Sequence, residues 1–255
     1  MDRQCALLGK LYGPAARRVR EVEWLSVVDS TNARAWTILE NCAGAALVLA
    51  KRQTAGRGRR SRSWESSSHD GLWYSLALEL ACTPPPALPL AVGAIVHDAL
   101  VESGIRDLSL KWPNDLLCGP YKLAGVLVES RTRAARTSAV IGIGINWETP
   151  AVAGAIGLSA IQPTQDVSQV SVAAHLTNQL MALLDGGDMD QGVGDWLDYW
   201  RRHDAFLDTP VQLQGGAEPV EGVARGVDAN GALRLETPSG VQYHHLGDLS
   251  LRGGP

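Results

Sequence analysis

The strongest constraint on the fold is a change in the character of the sequence after Phe206. Before this residue, apolar runs of strand length alternate with segments of helical periodicity. Residues 210–252 instead contain short strand-like runs separated by Gly215-Gly216, Asn230-Gly231 and Ser239-Gly240. An Asn-Gly pair between apolar residues is a strong signal for a β-hairpin. The sequence therefore predicts two domains, residues 1–207 and a small all-β barrel at residues 208–255.

The first domain is predicted to combine strands and helices. With 255 residues, 45% hydrophobic and 20% charged, the chain is long enough for one sizeable domain and a small appendix. Apolar runs predict strands at residues 22–28, 45–51, 72–80, 108–112, 122–130 and 138–145. Caps and helical spacing predict helices from residues 29–32 to about 41, and at 88–102, 168–184 and 190–203.

Positive charge is concentrated in one segment that follows the second predicted strand. We call residues 53–64 (QTAGRGRRSRSW) the Gly-Arg segment. Six basic residues and no acidic one lie between Lys51 and Arg62, although the formal net charge of the chain is -4. Glycines allow close approach of the backbone, and clustered cations attract an anion. Because the pI is about 5.9, this local cluster favours a small anionic ligand over a general nucleic-acid coat protein.

The remaining composition narrows the class of protein. The four cysteines (Cys5, Cys42, Cys82 and Cys118) form no CxxC pair, and the chain does not begin with a secretory signal. We therefore expect free thiols and a cytoplasmic location. No apolar run approaches the ~18 residues that a membrane span requires, so we expect no membrane association.

Common nucleotide-binding motifs do not match, but three polar clusters stand out. The chain has no GxxxxGK[ST] sequence, and Gly142-Ile143-Gly144 lacks the third glycine of a dinucleotide motif. The clusters are Asp29-Ser30-Thr31-Asn32, Lys111-Trp112-Pro113-Asn114-Asp115 and Lys122-Leu123-Ala124-Gly125. Pro113 is predicted to end the preceding strand, which places Asn114 and Asp115 at its tip. Taken singly, the first cluster is also explained by helix capping and Lys122 by simple exposure to solvent.

Four of these motifs, in this order and spacing, resemble the catalytic domain of biotin protein ligases. They are the Gly-Arg segment, Lys-Trp-Pro-Asn-Asp from Lys111, Lys-Leu-Ala-Gly from Lys122, and Gly-Ile-Gly-Ile-Asn ending at Asn146. Residues 222–252 resemble the SH3-like C-terminal barrel of the same family. The resemblance implies an α+β fold, in which a mixed sheet with flanking helices, like that of class II synthetases, precedes the barrel.

The resemblance also implies a reaction. Biotin and ATP would form biotinyl-5′-AMP and pyrophosphate, and a lysine of a biotin carboxyl carrier protein domain would then accept the biotinyl group. Lys122 and Arg57 would be catalytic, and Asp115 would be a ligand of Mg²⁺. The residues implied in biotin binding are Ser30, Thr31, Asn32, Gln53, Arg57, Gly58, Arg59, Lys122 and Gly125. The residues implied in ATP binding are Gly56, Arg57, Arg59, Arg60, Trp64, Lys111, Asn114 and Asn146.

Two other functions are compatible with part of the sequence. A lipoate or octanoate ligase or transferase shares the core fold, but the Lys-Trp-Pro-Asn-Asp run and the form of the Gly-Arg segment argue against it. A nucleic-acid binder would use residues 51–62, but the acidic total and the single basic run argue against that function. About two dozen residues precede the first predicted strand, so we expect no winged-helix domain and no specific DNA binding. The resemblance to this family favours a homodimer.

Overall fold

The computed structural model describes residues 2–59, 63–134, 136–161, 166–185, 187–215, 218–245 and 250–253. The strands are β1 (Val19–Val28), β2 (Ala45–Gln53), β3 (Gly71–Leu80), β4 (Leu108–Lys111), β5 (Asp115–Cys118), β6 (Tyr121–Arg133), β7 (Arg136–Asn146), β8 (Pro210–Gln214), β9 (Val220–Val227), β10 (Leu233–Thr237), β11 (Gly240–His244) and β12 (Ser250–Gly253). The helices are α1 (Arg3–Leu8), α2 (Gly13–Arg18), α3 (Thr31–Leu39), α4 (Leu88–Glu102), α5 (Gln169–Asp185) and α6 (Met189–Arg202).

The larger sheet has seven strands in the order β1-β2-β3-β7-β6-β5-β4. β1 and β2 are parallel, and the other neighbouring strands are antiparallel. Because β1 and β2 run in the same direction, their carboxyl ends reach the same edge of the sheet. The start of α3 and the start of the Gly-Arg segment therefore lie together, which brings two of the polar clusters to one place.

The two faces of this sheet are covered differently. One face packs on α4, α5 and α6 and carries the main core, including Leu72, Tyr74, Leu76, Ile141 and Ile143. On the other face, α3 covers a smaller apolar cluster of Ala35, Trp36, Ala46, Val48, Ala77 and Val140. Since α3 covers only part of that face, the rest of it is available for a site.

The second sheet has five antiparallel strands in the order β11-β10-β9-β8-β12. It packs against the first domain, because Val211, Leu213 and Leu235 belong to the same continuous apolar core. The indole nitrogen of Trp112 donates a hydrogen bond of 3.1 Å to the backbone oxygen of Gly231, in the turn before β10. The second sheet is therefore joined directly to the Lys-Trp-Pro-Asn-Asp segment.

The structure confirms the predicted mixed sheet with flanking helices and the small all-β unit that follows it. It adds the strand β5, which was not predicted and which begins at Asp115, directly after the turn at residues 112–114. The short helices α1 and α2 were not predicted either. None of the helices in the described ranges is long and apolar enough to cross a membrane.

Candidate functional site

A cleft of about 1000 Å³, its open mouth included, lies on the face of the large sheet that α3 covers in part. It is walled by the start of α3, the end of β2, the Gly-Arg segment and strands β5, β6 and β7. The predicted site residues in its wall are Ser30, Thr31, Asn32, Gln53, Arg57, Gly58, Arg59, Trp64, Lys111, Asn114, Asp115, Lys122 and Gly125.

The polar end of the cleft is built at the start of α3. Ser30 is the N-cap, and its hydroxyl oxygen accepts a hydrogen bond of 3.4 Å from the backbone N–H of Ala33. The backbone N–H of Thr31 donates to Oε1 of Gln53 at 2.8 Å, which ties the helix to the end of β2. Ser30, Thr31 and Gln53 are all buried. The residues at the capped start of α3 therefore also form the polar end of the cleft.

Asn32 is held from two sides by residues of the sheet. Its Oδ1 accepts a hydrogen bond of 2.6 Å from the hydroxyl of Ser75 on β3. Its Nδ2 donates to Oε2 of Glu129 on β6 at 2.8 Å. A Cβ atom at position 142 would lie 2.3 Å from Asn32 Oδ1, so only glycine leaves room for this amide. The orientation of Asn32 is thus fixed by three strands.

Glycines also give Trp64 its position. A Cβ atom at position 125 or 144 would lie within 3.0 Å of the Trp64 ring, so the indole rests directly on the backbone of β6 and β7. The ring also makes an edge contact with Trp73, with centroids 6.3 Å apart. Alternate residues of a strand face the same side, which places Gly142 and Gly144 together on the floor of the cleft.

The cationic end of the cleft contains Lys122, which is paired with Asp115. Its Nζ lies 2.5 Å from Asp115 Oδ1 and 4.6 Å from the centroid of the Trp64 ring. The two charged side chains are 32% and 18% exposed, so water still reaches the pair. β5 runs antiparallel to the start of β6, and this pairing brings Asp115 close to Lys122. The ammonium group is therefore fixed where β5, β6 and the Gly-Arg segment meet.

Two arginines of the Gly-Arg segment complete this end. Arg57 Nη1 lies 3.6 Å from Glu129 Oε1, and Arg59 Nη1 donates to Oδ1 of Asn114 at 3.4 Å. The amide of Asn114 donates in turn to the backbone oxygen of Val126 at 2.8 Å. The cleft thus combines a buried, hydrogen-bonded polar end with a half-exposed cationic end.

Three of the predicted site residues are not among the described residues that line the cleft. Gly56 and Asn146 do not line the cleft, and Arg60 lies outside the described residues. The amide nitrogen of Asn146 is directed at the backbone oxygens of Ile156, at 3.1 Å, and Lys122, at 3.4 Å. Asn146 thus supports the backbone of Lys122.

The sequence prediction missed two residues that support the site, Ser75 and Glu129, which both hold Asn32. The side chain of Tyr74 belongs to the main core on the opposite face of the sheet, where its hydroxyl contacts that of Thr177 at 3.1 Å. Polar residues within otherwise apolar strands were the available signal for Ser75 and Glu129.

The described residues offer few protein ligands for a metal ion. They contain no group of three or more His, Cys, Asp or Glu side chains that could hold one. Asp115 is a single carboxylate, already paired with Lys122. Mg²⁺ retains several waters and is commonly held by one or two carboxylates together with substrate phosphates. The residues of this cleft fit that mode of binding and do not form a separate metal cage.

Comparison with known proteins identifies the family. Residues 24–146 match the Biotin/lipoate A/B protein ligase family, and residues 206–252 match the Biotin protein ligase C terminal domain. The Bifunctional ligase/repressor BirA of Escherichia coli is 32% identical over 253 residues, which cover 96% of this chain and 77% of that protein. The Biotin--[acetyl-CoA-carboxylase] ligase of Paracoccus denitrificans is 31% identical, with 86% of this chain and 95% of that protein covered.

Solved structures agree with the sequence relatives. The biotin protein ligase from Aquifex aeolicus, in complex with biotin and ATP, superposes with a TM-score of 0.74 and is 26% identical. The match covers 92% of this chain and 100% of that one. Both domains of the fold, the order of the four motifs and the sequence relatives thus lead to one conclusion. This chain belongs to the biotin protein ligase family.

Proposed function

We propose that this chain activates biotin with ATP and transfers the biotinyl group to a lysine of a carrier protein. One observation carries the proposal beyond family membership. A single cleft joins a buried set of hydrogen-bonding groups at the start of α3 to the cations Lys122 and Arg57. Biotin has the matching asymmetry, with a polar uncharged ring system at one end and a carboxylate at the other.

The polar end fits the ureido group of biotin. That group has two N–H donors and one carbonyl acceptor, and it needs fixed partners because an unpaired group in a dry pocket costs roughly 1–3 kcal/mol. Ser30, Thr31 and Gln53 are buried polar residues in the wall of the cleft. Their positions are set by the backbone of α3 and β2, so they do not have to reorganise when a ligand binds.

The cationic end fits the reacting carboxylate and the α-phosphate. A carboxylate oxygen of biotin attacks the α-phosphorus of ATP, the bond to the pyrophosphate oxygen breaks, and pyrophosphate leaves. Both reactants are anions, so positive charge must be fixed between them. We assign Lys122 to this place, with Arg57 and Arg59 beside the carboxylate and the phosphates. Trp64 offers a ring face at the cleft for the adenine.

The second step uses the mixed anhydride. The neutral amine of the carrier lysine attacks the acyl carbon, the amide bond forms with loss of one amine proton to water, and the bond to the AMP oxygen breaks. Lys122 then stands where negative charge collects on the departing phosphate. The carrier we propose is the biotin carboxyl carrier domain of a biotin-dependent carboxylase. A relative that bears the name Biotin--[acetyl-CoA-carboxylase] ligase supports this choice.

Mg²⁺ is part of the proposal through the nucleotide. The phosphates would be its main ligands, and Asp115 would be a protein ligand that Lys122 shares. The ion supplies charge neutralisation of the phosphates. Lys111 and Asn114, which also line the cleft, would face the same phosphates.

A two-stage assay tests the function. Purified protein with ATP and Mg²⁺ should release pyrophosphate only when biotin is added, and then label a biotin carboxyl carrier domain on its lysine. Lipoate and octanoate in place of biotin are the matched comparisons. Pyrophosphate release with lipoate but not with biotin would refute the proposal. Absence of biotin binding by calorimetry at millimolar concentration would refute it as well.

A further inference from the structure

Glu129 occupies a place in the site that no sequence motif assigned to it. It lies on β6, seven residues after Lys122, with its side chain 27% exposed. Its Oε2 accepts from Asn32 Nδ2 at 2.8 Å and lies 3.4 Å from the indole nitrogen of Trp36. Its Oε1 lies 3.6 Å from Arg57 Nη1. One carboxylate thus contacts both the polar end and the cationic end of the cleft.

A continuous chain of polar contacts runs from Glu129 into the polar end. Asn32 Oδ1 lies 2.6 Å from Ser75 Oγ, and Ser75 Oγ lies 2.8 Å from Thr31 Oγ1. Thr31 Oγ1 lies 3.1 Å from Gln53 Oε1. Every side chain between the two ends of this chain is buried. Inside such a chain, each hydroxyl can donate only one hydrogen.

The carboxylate fixes the direction of the bonds that Asn32 makes. Glu129 can only accept, so the Asn32 amide must turn its Nδ2 towards it and its Oδ1 towards Ser75. Ser75 therefore gives its single hydrogen to Asn32. The Thr31 hydroxyl gives its own hydrogen to Gln53 Oε1, an oxygen that can only accept.

The order of donors matches one feature of the proposed ligand. With its hydrogen directed at Gln53 Oε1, the Thr31 hydroxyl retains lone pairs, and Thr31 lines the cleft. It can therefore accept a hydrogen bond from a ligand but has no hydrogen left to give. The ureido nitrogens of biotin carry N–H donors, so the two groups are complementary.

We propose that Glu129 is a positioning residue that fixes the orientation of the Asn32 amide in the biotin pocket. The inference rests on the proposed function, because it concerns the binding of biotin at this site. Glu129 does not touch the ligand, whereas Asn32 lines the cleft. Glu129 acts by preventing the Asn32 amide from rotating by half a turn, which would turn its Nδ2 towards Ser75 and remove the acceptor of the Ser75 hydroxyl.

Two substitutions of Glu129 separate this role from its ion pair with Arg57. Glu129→Gln keeps an oxygen that can accept from Asn32 but loses the negative charge towards Arg57. Glu129→Met has similar length and no strong acceptor. We expect the biotin KM for pyrophosphate release to stay within about 3-fold for Glu129→Gln and to rise by about 10-fold or more for Glu129→Met.

Two controls exclude a general structural effect. Trp36→Phe removes the other donor to the same carboxylate oxygen and leaves the Asn32 contact in place, so the biotin KM should not change. Glu79→Met removes a carboxylate of β3 that pairs with Arg136 at the surface, at 3.4 Å and half exposed. It should lower neither biotin affinity nor kcat. Thermal unfolding of every variant reports whether the protein is folded.

Exchanging the amide of Asn32 and the carboxylate of Glu129 gives the sharpest test. Asn32→Asp alone places two carboxylates in contact and should raise the biotin KM strongly. Adding Glu129→Gln supplies an amide that donates to the new carboxylate, whose other oxygen still accepts from Ser75. The double variant should recover at least about 10-fold of the loss in KM.

The possible results are distinct. If the parent protein releases pyrophosphate with biotin, but Glu129→Met has an unchanged KM or the double variant is no better than Asn32→Asp, the role of Glu129 is refuted. An increase in KM for Glu129→Gln as large as that for Glu129→Met would also refute it. The weaker biotin binding would then result from the lost negative charge and not from the lost hydrogen-bond acceptor. If the parent protein itself fails with biotin, the proposed function is at fault.

Discussion

Substitution of Lys122 by alanine is the most direct test of the proposed chemistry. The side chain enters two interactions, an ion pair of 2.5 Å with Asp115 and a contact of 4.6 Å with the Trp64 ring. Since both charged groups are partly exposed, the pair contributes only about 1 kcal/mol to folding. A loss of that size lowers the melting temperature of a chain this long by about 2–4 °C.

The expected loss of catalysis is much larger. A fixed donor at the position of developing charge contributes about 3–4 kcal/mol to transition-state stabilisation, which corresponds to a 10²–10³-fold lower kcat for adenylate formation. Biotin affinity should change by less than about 10-fold, because the residues proposed to bind the ureido end do not contact Lys122. The imbalance between these two effects follows from the position of Lys122 at one end of the cleft.

Pyrophosphate release measures kcat, and calorimetry measures biotin affinity. Lys51→Ala is the matched control, since Lys51 also forms an ion pair, at 3.6 Å with Asp70, and does not line the cleft. It should lose comparable stability and retain its kcat. Near-normal pyrophosphate release by Lys122→Ala would refute the assignment. A loss of biotin affinity as large as the loss of kcat would show that Lys122 only binds the substrate.

Three further predictions concern the surroundings of the cleft. Gly142→Ala places a Cβ 2.3 Å from Asn32 Oδ1 and should raise the biotin KM at least about 10-fold, whereas Gly194→Ala, with open space around its Cβ, should not. Trp112→Phe removes the hydrogen bond to the Gly231 oxygen and should lower the free energy of unfolding in denaturant by about 1–3 kcal/mol. Burial raises the pKa of Asp204 to about 6, so the native state holds this proton where the unfolded chain has lost it, and stability falls as pH rises from about 4 to 6. Asp204→Asn should therefore raise the melting temperature at pH 7, and the gain should disappear below about pH 4.

Most of the elements that were predicted correctly have a long apolar pattern, although the four-residue strand β4 was predicted as well. β2, β3 and β7 are buried almost throughout, so their sequences are continuous apolar runs. β5 has only four residues and directly follows the turn at Pro113. It forms because β4 and β6 both supply hydrogen-bonding partners. The sequence did not predict β5, because strand pairing is a tertiary property.

The two short helices at the start of the chain have a similar explanation. α1 and α2 contain six residues each, a length at which an isolated helix is unstable in water. They are held by tertiary contacts, with Leu7 and Ala15 fully buried in the main core. The backbone N–H of Tyr12 donates to Asn178 on α5 at 3.0 Å. The sequence of residues 3–18 does not by itself predict these tertiary contacts.

The site could be predicted as far as its residues lie in compact local motifs. Thr31, Lys122 and the Gly-Arg segment each belong to a recognisable run of sequence. Ser75 and Glu129 do not, because each is a single polar residue in a strand, 43 and 97 positions from Asn32. Only the register of β3, β7 and β6 brings them to Asn32. A charged residue within the apolar run of β6 was nevertheless a signal that this position faces a polar partner.

The charges of the cleft explain why its cations should act on the reaction more than on binding. Lys122 and Arg57 each face a carboxylate of the protein, Asp115 and Glu129 respectively. A substrate anion that binds at either cation exchanges one carboxylate partner for another, so the net gain in the ground state is small. In the proposed transition state, charge from two reacting anions is concentrated between the same cations, and the gain is larger. Differential stabilisation of this kind raises kcat without a matching increase in affinity. The large effect on kcat and small effect on affinity expected for Lys122→Ala therefore follow from its pairing with Asp115.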